Sequence, residues 1–204
     1  AGMTVVTGGA GLALSAANWT NTLTDALRDK SPGDLRLMNL GLLLQMGVPR
    51  ADADAFLNNP AFSPTNQTIL VASFGQLTGA HGQVEFIRMT GRSEDETDAM
   101  FCQQSAQLMV KVNATTPIVQ IMQLNGLPVC RPADGTVIVP IQWDYVAWTP
   151  MAERFVTALQ AEKFGTPAPG YAAVITGVVS PMARAALTAR GFQIFEKQLN
   201  NPLQ

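Results

Sequence analysis

Apolar side chains in the first half of the chain recur at helical spacing, in stretches separated by glycine or proline. The run between Leu35 and Met46 is apolar on most faces and stops at Gly47, which predicts a central buried helix. Proline and glycine delimit the stretches that follow. The spacing predicts further helices over 49–57, 64–79, 83–89 and 93–113.

Several of the predicted helices share a start signal, a hydroxyl residue followed by proline. The hydroxyl can accept a hydrogen bond from a free N–H group of the first turn, and proline fits the first helical position. Each pair therefore predicts a helix start. The pairs are Ser31-Pro32, Ser63-Pro64, Thr149-Pro150 and Ser180-Pro181.

The acidic cluster Ser93-Glu94-Asp95-Glu96-Thr97-Asp98 has a local explanation. Ser93 and Glu96 have the spacing of a capping box, in which each side chain accepts a hydrogen bond from the backbone N–H of the other residue. Carboxylates near a helix N-terminus are also stabilised by the helix dipole. We therefore predict a helix start here and no metal site.

The pattern changes near Thr116, where β-branched residues replace the helical stripe. Residues 118–124 are predicted to form a strand, and 129–131 and 136–139 flank a turn-rich tetrapeptide, which predicts a hairpin. A helix follows from Thr149. The last unit is predicted to be a strand over 171–178, a helix over 181–190 and a strand over 192–195.

These elements predict an α+β fold, with a helical N-terminal part packed against a small C-terminal mixed sheet with two helices. We divide the chain into a glycine-rich apolar lead segment (1–17), a helical part (18–115) and a small α/β part (116–204). The last two are short, so we expect them to share one core. No internal repeat of 20–50 residues is evident in the sequence.

Charge excludes some classes of partner. Charged residues make up 14% of the chain and the formal net charge is −2, against about 25% charged residues in an average protein. The sequence has no concentration of positive charge that would attract nucleic acid. It also has no run of 18 consecutive apolar residues, so no membrane-spanning helix is predicted. The uncharged polar surface favours a periplasmic or secreted protein, with a cytoplasmic one as the alternative.

The two cysteines, Cys102 and Cys130, allow two interpretations. A disulfide between them would stabilise by roughly 3 kcal/mol in the chain-entropy model and would imply an oxidising compartment. Alternatively, both are small buried hydrophobes. They lack metal-ligand spacing, and the single histidine forms no pair with another, so no metal site is predicted.

One segment near the start of the chain resembles a cofactor-binding motif. Val6-Thr7-Gly8-Gly9-Ala10-Gly11 is similar to the first turn of the extended short-chain dehydrogenase/epimerase family, which implies nicotinamide binding. Leu14 stands where the family has its third glycine, and no Tyr-x-x-x-Lys pair follows. A helix is predicted where the second strand should lie, so we predict no cofactor.

The most distinctive polar and aromatic cluster is Gln142–Thr149, between a predicted strand and a predicted helix. Its aromatic rings could form a ligand or partner surface, or could pack into the fold at this junction. We select Trp143, Asp144, Tyr145 and Trp148 as surface candidates. His81, in a predicted loop, is a further candidate because imidazole titrates near neutral pH.

No catalytic set of acid, base and nucleophile is evident in the sequence. The sequence therefore favours a non-enzymatic binding or scaffold protein. Such a protein would bind a protein partner, or a second copy of itself, through an apolar or aromatic surface. One alternative is an enzyme or small-ligand-binding protein with a pocket at the junction of the helical and α/β parts. A second is lipid contact through residues 3–17, which are small, mildly apolar and uncharged.

Overall fold

In a computed structural model, the described residues are 16–164 and 167–199, with side chains from residue 23 onward. The α+β fold is confirmed: helices occupy the N-terminal part, and a mixed sheet occupies the C-terminal part. The helices are α1 (Ala16–Asp29), α2 (Pro32–Gln45), α3 (Arg50–Leu57), α4 (Pro64–Gly75), α5 (Gln83–Thr90), α6 (Glu96–Thr115), α7 (Pro150–Ala161) and α8 (Pro181–Ala189).

The main sheet has five strands in the order β1-β2-β3-β5-β7. β2 is antiparallel to both of its neighbours, β1 and β3, whereas β3, β5 and β7 run parallel to one another and are joined through α7 and α8. Two short strands, β4 and β6, form a separate parallel pair. The strands are β1 (Ile118–Leu124), β2 (Leu127–Pro132), β3 (Val137–Ile141), β4 (Tyr145–Val146), β5 (Tyr171–Ile175), β6 (Val178–Val179) and β7 (Phe192–Phe195).

Each face of the sheet carries its own hydrophobic core, because neighbouring residues of a strand point to opposite faces. Ile138 and Val174 join the larger core, which they share with helices α2 to α6. Val139 and Ile175 join the smaller core beneath α7 and α8. The helical part therefore covers one face only, and α7 and α8 cover the other.

The four predicted helix starts are confirmed. In each, the hydroxyl of the capping residue accepts a hydrogen bond from the backbone N–H three residues later, at 3.1 to 3.2 Å, and proline occupies the first helical turn. This bond satisfies one of the N–H groups that a helix end leaves free. The capping residues are Ser31, Ser63, Thr149 and Ser180.

The predicted capping box at Ser93 is wrong, because the cap of α6 is Asp95. Its carboxylate accepts a hydrogen bond from Asp98 N–H at 3.0 Å, and Asp98 in turn accepts one from Glu94 N–H at 3.1 Å. The helix begins two residues later than predicted, because a carboxylate competes well with a serine hydroxyl for this position. The acidic cluster still serves a helix start.

Helix α2 is not buried on most faces, contrary to the prediction. Its side chains Leu35, Asn39 and Leu43 are buried, but Leu37 is 69% exposed and Leu44 is 43% exposed. The helix packs against α3 and α4 on one side and has solvent on the other. An apolar stretch of sequence does not by itself show how many other elements pack against a helix.

Two turns organise the antiparallel strands. The predicted hairpin is present, with Cys130 of β2 opposite Ile138 of β3. A second hairpin, absent from the sequence interpretation, joins β1 to β2 through Asn125-Gly126. Both turn residues have positive φ, 48° and 82°. Asn-Gly is a preferred pair for such a tight turn. The dipeptide could therefore have predicted this hairpin from the sequence.

The parallel half of the sheet contains a structural repeat that the sequence interpretation did not find. The first unit is β3–β4–α7 and the second is β5–β6–α8, and β3 pairs with β5 as β4 pairs with β6. Their helices begin with Thr149-Pro-Met-Ala and Ser180-Pro-Met-Ala. The predicted single strand over 171–178 is therefore two strands, separated by Thr176 and Gly177.

Cys102 and Cys130 are free and buried, so the disulfide interpretation does not hold in this structure. Burial raises the pKa of the Cys102 thiol to about 11 and that of the Cys130 thiol to about 12. Loss of solvation disfavours the thiolate. Both residues act as small hydrophobes in the larger core.

Candidate functional site

The segment between β3 and α7 is held by backbone hydrogen bonds to the equivalent segment of the second unit. The carbonyl of Trp143 accepts a hydrogen bond from Gly177 N–H at 3.0 Å, and that of Asp144 accepts one from Val178 N–H at 3.0 Å. The carbonyl of Val146 accepts another from Ser180 N–H at 2.9 Å. These bonds fix the direction in which the aromatic residues of the segment point.

Gly177 is required by the closeness of the two segments. A Cβ atom at this position would lie 2.0 Å from the carbonyl oxygen of Asp144. Such a separation is far below van der Waals contact, so only glycine allows the backbones to approach this closely. The position of Trp143 and Tyr145 therefore depends on a residue in the other unit.

Between β4 and α7 the first unit has two residues, Ala147 and Trp148, that have no counterpart between β6 and α8. The indole of Trp148 lies against the guanidinium of Arg190, with 4.7 Å between Cζ and the ring centroid. Arg190 also forms an ion pair with Glu153 of α7 at 2.9 Å. Trp148 is thus held between the end of α8 and the first turn of α7.

The two helices differ in how closely they approach the sheet. Helix α8 packs against the backbone of β7, whereas no element in the described part of the chain approaches the backbone of α7 as closely. The equivalent alanines reflect this difference: Ala183 of α8 is fully buried and Ala152 of α7 is half-buried. Space consequently remains beneath α7.

This space is a cavity of about 570 Å³, which we call the α7 cavity. Val139 and Ile141 of β3 line it, together with the buried side chains of Ala173, Leu187 and Phe192. The carboxyl end of a strand that precedes a crossover helix is a common ligand position in α/β sheets. The side chains that surround the opening include Asn125, Trp143, Tyr145, Trp148, Met151 and Phe155.

Helix α7 contributes two stripes to the cavity. Ala152 and Val156 lie one turn apart on the inner side, and Val156 is buried. Met151, Arg154 and Phe155 lie on the outer side at the i, i+3 and i+4 positions, which share one flank of a helix. Met151 is 71% exposed, so this flank borders the entrance.

The lining is apolar and aromatic with few polar groups. Within the lining that the structure describes, Arg154 is the only charged side chain, and no carboxylate, imidazole or thiol is present. Asn125 adds an amide, and Tyr145 and Thr149 add hydroxyl groups, although the Thr149 hydroxyl already caps α7. Such a lining suits binding of an apolar molecule better than acid–base chemistry.

The structure brings three of the five predicted surface residues together. Trp143, Tyr145 and Trp148 line the α7 cavity, whereas Asp144 and His81 do not. Asp144 is exposed and its carbonyl serves the backbone contact with the second unit. His81 is exposed in its predicted loop, where its backbone bonds with β1 through Val119 O and Ile121 N.

The cavity does not lie at the junction of the helical and α/β parts, as one alternative predicted. All its lining residues belong to the α/β part, on the sheet face that carries α7 and α8. Trp143 also reaches the helical part, where its ring lies 6.4 Å from that of Phe101 of α6.

Sequence reasoning missed the contribution of α7. Met151, Arg154 and Phe155 lie on one flank of a helix that the sequence predicted, so their spacing was an available signal. No sequence signal showed that this flank faces a cavity, because that depends on the distance between α7 and the sheet.

A second, smaller cavity of about 270 Å³ lies between α6 and the β1–β2 turn. It contains Arg92 and Asp98, and the Asp98 carboxylate already accepts a hydrogen bond from Glu94 N–H. Cys102 lines it as well, but its raised thiol pKa disfavours a reactive thiolate. This cavity offers a weaker case for ligand binding.

Two expectations concern residues whose side chains the structure does not describe. The glycine motif Val6–Gly11 and the lipid-contacting segment 3–17 both fall before the first described side chain, so the structure does not bear on them. Within the described ranges, no group of three His, Cys, Asp or Glu side chains could hold a metal ion. No described helix is long and apolar enough to span a membrane.

The fold and the cavity together define an α+β protein with an apolar, aromatic-lined cavity beneath one crossover helix. Comparison of the chain with protein-family models, with curated proteins and with solved structures gave no match. The arguments about function therefore rest on the geometry of the cavity.

Proposed function

We propose that the protein binds an apolar small molecule in the α7 cavity and does not transform it. The observation that supports this proposal is the cavity itself, which has about 570 Å³ of space and a lining dominated by apolar and aromatic side chains. Small-molecule sites usually have about 300–1,000 Å³ and a lining of this kind.

The arrangement of the lining favours a bound molecule over a plain packing defect. Trp143 is 41% exposed and Tyr145 is 60% exposed at the entrance. Large aromatic side chains gain free energy when they are covered. A ligand in the cavity would cover them without any rearrangement of the sheet, since backbone hydrogen bonds already hold their segment.

The proposal can be tested with N-phenyl-1-naphthylamine, an uncharged fluorescent probe whose emission rises in apolar surroundings. We expect saturable binding to the full chain at one probe per protein. Ala152→Phe places a ring in the cavity, and we expect it to weaken binding about ten-fold, or about 1.4 kcal/mol, because the ring occupies space that the probe would otherwise fill.

The matched control is Ala161→Phe, which adds the same ring at the exposed end of α7, away from the cavity. It should bind the probe as the wild type does. Circular dichroism should show that both variants fold. The proposal is wrong if the probe does not bind, or if Ala152→Phe binds it as well as Ala161→Phe does.

A second candidate is a protein partner that inserts an apolar side chain into the same cavity. The exposed side chains around the entrance favour it, since aromatic residues and methionine are enriched at protein interfaces. Displayed random peptides selected on the wild type and counter-selected on Ala152→Phe would test it. Enrichment of a motif with one aromatic or large aliphatic anchor would support this candidate, and its absence would contradict it.

A further inference from the structure

We infer that the ligand of the α7 cavity is an amphipathic anion, with an apolar tail inside and a carboxylate at the entrance beside Arg154. This inference rests on the proposed function and specifies the class of ligand. The juxtaposition that supports it is a guanidinium with no ion-pair partner among the described residues, at the rim of a cavity whose described lining is otherwise uncharged and mainly apolar.

Arg154 differs from nearby arginines in its lack of an ion-pair partner among the described residues. Within the described part of the chain, no carboxylate forms an ion pair or hydrogen bond with it. The arginines nearby differ: Arg184 pairs with Glu196 at 2.5 Å and Arg190 pairs with Glu153 at 2.9 Å. Arg154 therefore remains available to an anion from outside the chain.

The position of Arg154 separates the two ends of such a ligand. It lies on the outer flank of α7 with Met151 and Phe155, whereas Ala152 and Val156 face the interior. An apolar tail would contact the inner stripe and β3. A carboxylate would stay at the rim, where it keeps part of its hydration and meets the planar donor set of a guanidinium.

Other charges near the entrance do not oppose an anion. The carboxylate of Glu153 is engaged by Arg190, and Asp144 is not part of the lining. A cationic head group would instead meet the charge of Arg154 with nothing to offset it. Charge complementarity thus selects an anionic head over a cationic one.

The test uses three probes with the same ten-carbon chain: decanoate, decan-1-ol and decyltrimethylammonium. Each is titrated against the complex of the protein with N-phenyl-1-naphthylamine, and displacement gives its affinity. Arg154→Gln should lower the affinity for decanoate about five-fold at low salt, as expected for a partly exposed charge-assisted contact. The affinity for decan-1-ol should change by less than about two-fold. The same substitution should strengthen decyltrimethylammonium.

Two control variants complete the design. Arg154→Lys keeps the charge and should retain most of the decanoate affinity. Lys163→Gln removes an exposed positive charge just beyond α7 that does not line the cavity, and it should leave all three affinities unchanged. Added salt should reduce the decanoate effect, because it screens an exposed pair.

The outcomes distinguish this inference from the proposed function. If decan-1-ol fails to displace the fluorescent probe and the probe itself does not bind, the proposed function is wrong. If decan-1-ol binds but Arg154→Gln changes decanoate and decan-1-ol by the same factor, the cavity binds apolar molecules and the assignment of an anionic head group is wrong.

Discussion

The two β–β–α units of the sheet share a plan but differ in what lies beneath their helices. In the second unit, α8 lies directly on the sheet and Ala183 is fully buried. In the first unit, no strand in the described part of the chain approaches the backbone of α7 as closely, and the equivalent Ala152 borders a cavity. The first unit also has three more residues between its main strand and its helix, Trp148 among them.

The difference between the units lies in the connection and not in the strands. The strands of both units are paired in register, so the sheet does not change. The additional residues lengthen only the connection, and Trp148 lies between α7 and α8. Its ring also lines the cavity, so the longer connection contributes directly to the aromatic part of the lining.

The largest expected effect concerns the contact between the two units. Gly177→Ala should lower the free energy of unfolding by about 3 kcal/mol, at the upper end for single substitutions, because its Cβ would lie 2.0 Å from Asp144 O. Urea denaturation followed by circular dichroism measures this. Gly41→Ala, where a Cβ meets nothing within 4 Å in the middle of α2, should instead raise stability by about 0.5–1 kcal/mol. Equal effects of the two substitutions would contradict the close approach.

A smaller effect distinguishes the two helices directly. Ala183→Leu should destabilise by about 1–3 kcal/mol, because the added methyl groups have no space beneath α8. Ala152→Leu, at the equivalent position of α7, should change stability by less than about 0.5 kcal/mol, because the cavity accepts the larger side chain. Thermal unfolding of both variants gives the comparison. Similar losses in the two variants would mean that α7 packs as tightly as α8.

The smallest expected effect depends on pH and concerns the contacts that Glu196 makes with the second unit. Glu196 accepts hydrogen bonds from Val179 N–H and the Arg184 side chain, both at 2.5 Å, and these contacts lower the pKa of its carboxyl below the usual 4.5. A carboxyl with a depressed pKa stabilises the fold above its unfolded-state pKa, and the stabilisation is lost as pH falls through its folded-state pKa. Glu196→Gln should therefore be less stable than the wild type at pH 7, and the difference should shrink below about pH 4.5.

Urea midpoints of the wild type and Glu196→Gln across this pH range provide the measurement. The control is Glu162→Gln at the end of α7, whose carboxylate accepts no hydrogen bond in the described part of the structure. Its difference from the wild type should be smaller at pH 7. A Glu196→Gln difference that is the same at pH 7 and at low pH would rule out this contribution.

Local signals in the sequence predicted much of the secondary structure. The Ser-Pro and Thr-Pro starts at Ser31, Ser63, Thr149 and Ser180 are confirmed, because a helix cap depends on residues within one turn. The predicted capping box at Ser93 was wrong for a related reason. Ser93 and Asp95 both lie where they could cap α6, and Asp95 is the residue that caps it. The Asn125-Gly126 turn shows that a local signal can also be overlooked.

The candidate site could be predicted only in part. Its aromatic members Trp143, Tyr145 and Trp148 were selected because they are close in sequence, and all three line the cavity. Arg154 and Phe155 lie only a few residues further along, but nothing in the sequence shows the distance between α7 and β3. His81 and Asp144 were selected by residue type, and the structure places both outside the cavity.

By itself, the sequence determined the fold class, the four Ser-Pro and Thr-Pro helix starts and the change from helices to strands near Thr116, since these follow from side-chain periodicity and contacts within a few residues. The tertiary structure alone decided which surfaces meet. The exposed Leu37, the free thiols and the cavity beneath α7 all depend on distances between elements far apart in the chain. Such distances are set by how many side chains fit between packed layers, and no single stretch of sequence carries that information.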